Sequence, residues 1–159
     1  MALGCAVALM PTLQAQGYPN KSIRLIVPFP PGGGNDVIGR IIAQKLTERL
    51  GQQVVVDNRA GANGIVGLQA LMQAPPDGYT IGVAAAGPMA VNPTLYRSMP
   101  FNPMTDLAPV IQISSFPLVL EVNPKVGVKT VKELVALGKN PKSELSFASA
   151  GNGTPQHLA

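Results

Sequence analysis

Residues 23–51 read IRLIVPFPPGGGNDVIGRIIAQKLTERLG, and the order of residue types in that stretch decides the fold class. Ile23–Val27 is a short apolar run rich in β-branched residues and stopped by Pro28, the pattern of a buried strand. The following PFPPGGG breaks regular structure, because proline lacks an N–H and glycine carries no steric preference. From Asn35 onward Val37, Ile38, Ile41, Ile42, Leu46 and Leu50 recur at helical spacing, and Gly51 supplies a C-terminal stop. The unit is therefore strand, glycine loop, amphipathic helix.

Working outward, the unit recurs. Residues 54–56 form a second apolar strand, 57–63 a loop, and 64–74 a second helix closed by Pro75, Pro76, Asp77 and Gly78. A third strand at 80–84 ends in a small-residue loop containing Ala86 and Gly87. Strands alternating with helices through short loops predict an α/β fold with a parallel sheet and right-handed crossovers. Ligands of such sheets collect at the carboxyl ends of the strands.

After Pro100 the rhythm changes. Residues 108–113 and 118–122 read as strands among Pro103, Pro109 and Pro117, residues 128–137 as a helix with Thr130 as N-cap, and 145–148 as a further strand. Gly151 and Gly153 then free the backbone before Thr154, a capping residue, and Pro155, which suits a first helical position. This second glycine turn mirrors the first. The expected organisation is a first α/β lobe over 17–112, then a hinge and the beginning of a second α/β lobe over 113–159.

Residues 1–16 read as a signal peptide. Residues 3–13 are almost wholly apolar and run into Gln14, Ala15 and Gln16, a small-residue exit suited to cleavage. No Lys or Arg precedes the apolar run, so the start is expected to be clipped, and of two readings of Cys5, a lipidated residue or a small hydrophobe inside the signal, the second is favoured because no apolar stretch precedes it. The run is too short to span a bilayer, so no direct membrane insertion is expected after cleavage.

Hydrophobic residues make up 46% of the 159 and charged residues 13%, with Gly and Pro dispersed, which describes a globular chain. Twelve Lys and Arg against eight Asp and Glu give a charge of +4, but aromatics are 4% and Trp is absent. A nucleic-acid platform of basic groove and stacking rings is thus excluded, while anionic ligands are mildly favoured. The lysines from Lys125 to Lys142 alternate with apolar residues as on a solvated helix face.

A helix N-terminus presents unpaired N–H groups and about half a positive charge, a ready site for a carboxylate. A dinucleotide site fails on spacing, since Gly32 and Gly34 would need glycine where Val37 stands, and Ala62 occupies the first glycine position of the second loop. Asp36 would also repel a pyrophosphate, and no Lys-Ser or Lys-Thr pair makes a P-loop. Asp36 itself has two readings, a first-turn acid serving its own helix or an orienter of water or a ligand ammonium. His157, the sole histidine, reads as a structural hydrogen-bonder or a ligand contact. Ser149 lacks a nucleophile-elbow setting, and no cluster supports a metal site, so neither catalytic residues nor cofactors are expected.

The segments YPNKSIRLIVPFPPGGGNDVIGRIIAQKLTERLGQQVVVDNRAGANG, PDGYTIGVAAAGPMAVNPTLY and LSFASAGNGTPQHLA together resemble the Bug-type receptors of tripartite tricarboxylate transport systems, from Tyr18 to Ala159. The resemblance implies a periplasmic binding protein of type II class, with two hinged α/β lobes closing over an organic acid held by backbone amides and ordered waters. It implies membrane components of such a transporter as partners. Carried over, the first-lobe contacts fall on Phe29, Pro30, Gly32, Gly33, Gly34, Asn35 and Asp36, with Ala86 and Gly87. The second-lobe contacts fall on Ser149, Ala150, Gly151, Asn152 and Gly153, with Thr154 and His157 behind them. Pro31 and Asn35 stand where the family more often has Ala and Thr. Family members also continue through the second lobe and return to the first, so the chain reads as an N-terminal fragment of marginal stability. Two other functions compete. The effector domain of a transcription regulator would need a preceding helix-turn-helix, and an α/β enzyme would need a catalytic constellation that these residues do not supply.

Overall fold

Three parallel strands lie in the order β2-β1-β3 in the computed structural model, which describes residues 17–149 and 151–159. The proposed signal peptide, including Cys5, and Ala150 fall outside the described residues. β1 (Ile23–Val27) pairs with β2 (Val54–Asn58) from Ile23↔Val54 to Val27↔Asn58, and with β3 (Thr80–Gly82) from Arg24↔Thr80 to Ile26↔Gly82. As the central strand β1 is covered on both faces, which is why its sequence runs apolar without alternation.

Alternation of side chains sends Ile23, Leu25 and Val27 to one face, where they pack with Ala43 of α1 (Gly34–Leu50). Ile26 takes the other face with α2 (Ile65–Met72), and the register partner of Ile26, Gly82, lies so close to Leu71 that an added Cβ would sit 2.7 Å from its Cδ2. Ile65 and Leu68 of α2 then pack with Phe101 in a second apolar cluster. The result is a helix–sheet–helix sandwich.

Both helices approach the sheet most closely where the chain leaves β1. At Gly39 an added Cβ would stand 2.8 Å from Val27 Cγ2, and at Gly67 it would stand 2.5 Å from Pro28 Cβ. This seats the loops after β1 and β2 on rigid ground. At the far end Gly51 takes the left-handed conformation at φ 67° and returns its N–H to Thr47 O, as the sequence pattern requires.

Beyond β3 the chain makes a short 3-10 turn at Pro124–Val126, a π-helical turn at Gly87–Val91, and three short helices, α3 (Asn92–Leu95), α4 (Val131–Gly138) and α5 (Pro155–Leu158). Thr130 caps α4 by accepting from the Glu133 N–H at 3.2 Å. The expected strands at 108–113, 118–122 and 145–148 do not form. Val110, Ile111, Phe116, Val119, Leu120 and Phe147 stand exposed there, and a β-rich segment with no neighbouring strand has no ladder to join. β3 likewise stops at Gly82, two residues earlier than its composition suggests, although Val83 still donates to Ile26 O.

Candidate functional site

The loops that leave the carboxyl ends of β1 and β2 meet at Asp36. Its carboxylate is buried, 2% exposed, and accepts three bonds: from Gly32 N at 2.8 Å and Arg40 Nε at 2.9 Å on Oδ2, and from Asn58 Nδ2 at 2.9 Å on Oδ1. Asn58 Nδ2 also donates to Phe29 O at 3.1 Å, and Arg40 Nη2 to Asn58 Oδ1 at 3.2 Å. The Asp36 carboxylate serves its own helix and loop, as the first of its two sequence readings has it, and is turned inward. The group ties the glycine loop to its own helix and to β2, and does not face solvent.

This arrangement sorts the amides of the turn. Gly32 N is spent on Asp36, while Asp36 N and Val37 N return to Gly33 O at 2.9 and 3.0 Å. The N–H groups of Gly33, Gly34 and Asn35 form no hydrogen bond among the described residues, and Gly32, Gly33 and Gly34 are exposed. Three donors at the positive end of a seventeen-residue helix are thus open.

The Arg40 guanidinium, followed by the Gly32 and Asn58 donors, lowers the Asp36 pKa from 3.8 to about 2, against the opposing effect of burial. A carboxyl depressed in the folded state contributes stability that is fully present above its unfolded pKa and lost as pH falls through the folded one. The stability gap between the wild type and Asp36→Asn is therefore expected to be constant above 3.8 and to close toward pH 2. Urea midpoints of both proteins across that window check this. A gap independent of pH would remove the ionised carboxylate from the account.

The third strand's exit and the second glycine turn come together around Asn63. Asn63 Nδ2 donates to Asn92 Oδ1 at 2.9 Å and to Gly153 O at 3.0 Å. Gly87 is buried beneath this amide, and Gly64 lies between Phe29 and Pro88, where an added Cβ would be 3.6 and 3.1 Å from their rings. Phe29, Gly87 and Gly153 are thereby brought into one neighbourhood, with Ala86 exposed at its margin.

The second turn spends three of its amides on itself. Gly151 N donates to Ser149 Oγ at 3.3 Å, Gly153 N to His157 Nδ1 at 3.4 Å and Thr154 N to Gly151 O at 3.2 Å. Thr154 occupies the N-cap position of α5, yet its hydroxyl donates to Gly151 O at 2.7 Å and caps no helix N–H. His157 here is a hydrogen-bond acceptor with its ring 6.0 Å from that of Phe147. Pro30 and Asn152 are exposed. No hydrogen bond among the described residues joins 29–36 to 149–157 directly. Arg40, Asn58, Asn63 and Asn92 were absent from the expected set. A polar residue ending β2 and an Asn directly before a glycine were the available signals for Asn58 and Asn63.

Two open concavities lie elsewhere, one of about 350 Å³ beside Gln69, Met72 and Phe101 and one of about 490 Å³ between α1 and β2. Neither is lined by a residue of the glycine turns. Their linings offer no concentrated charge.

The sequence pattern of the tripartite tricarboxylate transporter family receptor matches residues 38–159. Protein BugT of Bordetella pertussis is 42% identical over 147 residues, which cover 92% of this chain and 45% of BugT. Among solved structures, the periplasmic binding protein BugD superposes with a TM-score of 0.53 at 37% identity, over 56% of this chain and 29% of BugD. An R. palustris protein solved with adipate superposes with a TM-score of 0.54 at 38% identity, over 56% of this chain and 30% of that one. The chain spans about half the length of the relatives it matches by sequence. The α/β fold is that of the periplasmic binding proteins, and no helix among the described residues is long and apolar enough to cross a membrane. By the match over most of its length, this chain belongs to the tripartite tricarboxylate transporter receptor family.

Proposed function

We propose that the protein is a periplasmic receptor for a small carboxylate, which it delivers to the membrane components of a tripartite transporter. The observation that carries this reading is the run of unspent N–H groups on Gly33, Gly34 and Asn35, in an exposed glycine turn whose only acid, Asp36, is turned inward and neutralised by Arg40. A carboxylate docked there meets the positive helix end and its open donors without facing a like charge. Phe29, Pro30 and the exposed edge of Gly32 and Gly33 supply the adjoining wall. Ala86, Gly87 and the turn from Ser149 to Thr154 with His157 supply the facing one. Because the Gly151 and Gly153 amides are spent internally, contacts from that side run through side chains, Asn152 and bridging waters.

A relative solved with adipate makes short aliphatic dicarboxylates the first class to test. Titration calorimetry and thermal denaturation with adipate, its monoester and its diamide decide the matter. Adipate at about a hundred times its Kd should stabilise the fold by about 2.7 kcal/mol, and the diamide by none. Equal stabilisation by acid and diamide would mean that charge at the helix end is not what is recognised.

A further inference from the structure

Asn63 and Ala62 are the only residues other than glycine with positive φ among those described, at 49° and 45°. Such backbone is sparsely populated and persists where surrounding contacts hold it. Both amide bonds of Asn63 Nδ2 leave its own turn, one to Asn92 Oδ1 and one to a carbonyl 90 residues along the chain, that of Gly153. Asn92 is fully buried and returns its Nδ2 to Asn63 O at 3.3 Å. The fit leaves no space: a Cβ on Gly87 would stand 2.8 Å from Asn63 Nδ2, and a Cβ on Gly153 2.7 Å from Leu95 Cδ2. Three segments distant in sequence therefore interlock at one polar pair.

We propose that Asn63 and Asn92 are positioning residues that clip the second glycine turn, 151–154, onto the strand-end face of the sheet before any ligand arrives. The clip acts at one carbonyl, Gly153 O, and the Leu95 contact beside it. Its loss frees α5 and the turn before it without opening the β2-β1-β3 sheet, whose core contains neither asparagine. Its consequence for binding rests on the carboxylate-receptor reading: a turn held in place before binding spares the ligand the entropy of ordering it.

The test is hydrogen exchange on the full chain without acid, comparing the wild type with Asn63→Gly and Asn63→Asp. Glycine accepts the left-handed backbone freely and deletes only the amide, so the turn itself survives. Aspartate keeps a side chain of the same shape but sets an acceptor against Gly153 O and Asn92 Oδ1. In both variants peptides covering 151–158 should exchange about tenfold faster while those of β1, β2 and β3 keep their rates. Unchanged exchange at 151–158, or equal acceleration throughout the chain, overturns the clip. Adipate affinity should fall about tenfold in Asn63→Gly, and an unchanged affinity alongside lost protection overturns the positioning role. A wild type that binds no acid sinks the receptor reading alone, and the exchange result still decides the clip.

Discussion

Gly67→Ala is expected to destabilise the fold by about 3 kcal/mol, although in an ordinary helix interior the same change gains about 1 kcal/mol. The new Cβ would lie 2.5 Å from Pro28 Cβ, 2.7 Å from Pro28 Cα and 2.9 Å from Arg59 O. Two of those three atoms are backbone, and the third belongs to a proline ring, so no rotamer change relieves the overlap. α2 must move outward as a body, which loosens Ile65 and Leu68 from Phe101. Against a typical stability of about 5–15 kcal/mol this is a large fraction. Urea denaturation should show a lower midpoint with an unchanged slope, since the surface exposed on unfolding is the same. Gly34→Ala is the control, because a Cβ at that position meets nothing within 4 Å. Equal midpoints for Gly67→Ala and the wild type would show that α2 does not rest on the Pro28 backbone as described.

The contrast between those two glycines marks what was legible in the residues alone. The second loop failed the dinucleotide spacing at Ala62 and gave no separate reading of Gly67, because a close helix–strand approach depends on which segment lies beneath, and that is a tertiary fact. β1 and α1 were legible because each carries its own evidence: an apolar run stopped by Pro28, then helical spacing stopped by Gly51. Thr130 was legible for the same reason, since a cap is settled within four residues.

Long-range features were not legible. Asp36 gave an even choice between serving its own helix and orienting water or a ligand ammonium, and its partner Asn58 lies on another strand, 22 residues away. Asn63 finds Gly153 across 90 residues. The segments 108–113, 118–122 and 145–148 show the converse error. Their β-branched and apolar composition is real, but strand formation is a property of a pair, and composition reports only one member. The candidate site was therefore readable as a location, at the glycine-rich exit of β1, and not as a set of available donors.

The donors can be tested one atom at a time through Gly34→Pro. Gly34 is the first helical residue of α1, where an N–H has no partner within the helix and proline is tolerated. The residue before it, Gly33, is extended at φ −76° and ψ 165°, the conformation that a following proline demands. A Cβ added at Gly34 meets nothing within 4 Å. The substitution thus deletes one N–H and leaves the backbone as it is, and by restricting the unfolded chain it should raise stability by about 0.4–1 kcal/mol. If that N–H donates to a ligand carboxylate, a charge-assisted bond of about 1.5–3 kcal/mol is lost, and adipate affinity falls by about tenfold to about a hundredfold. Gly34→Ala retains the N–H and should bind as the wild type does. Stability and affinity are expected to move in opposite directions in the proline variant, which no general damage to the fold can produce. Titration calorimetry giving Gly34→Pro and Gly34→Ala the same adipate affinity would remove the helix end from the binding site.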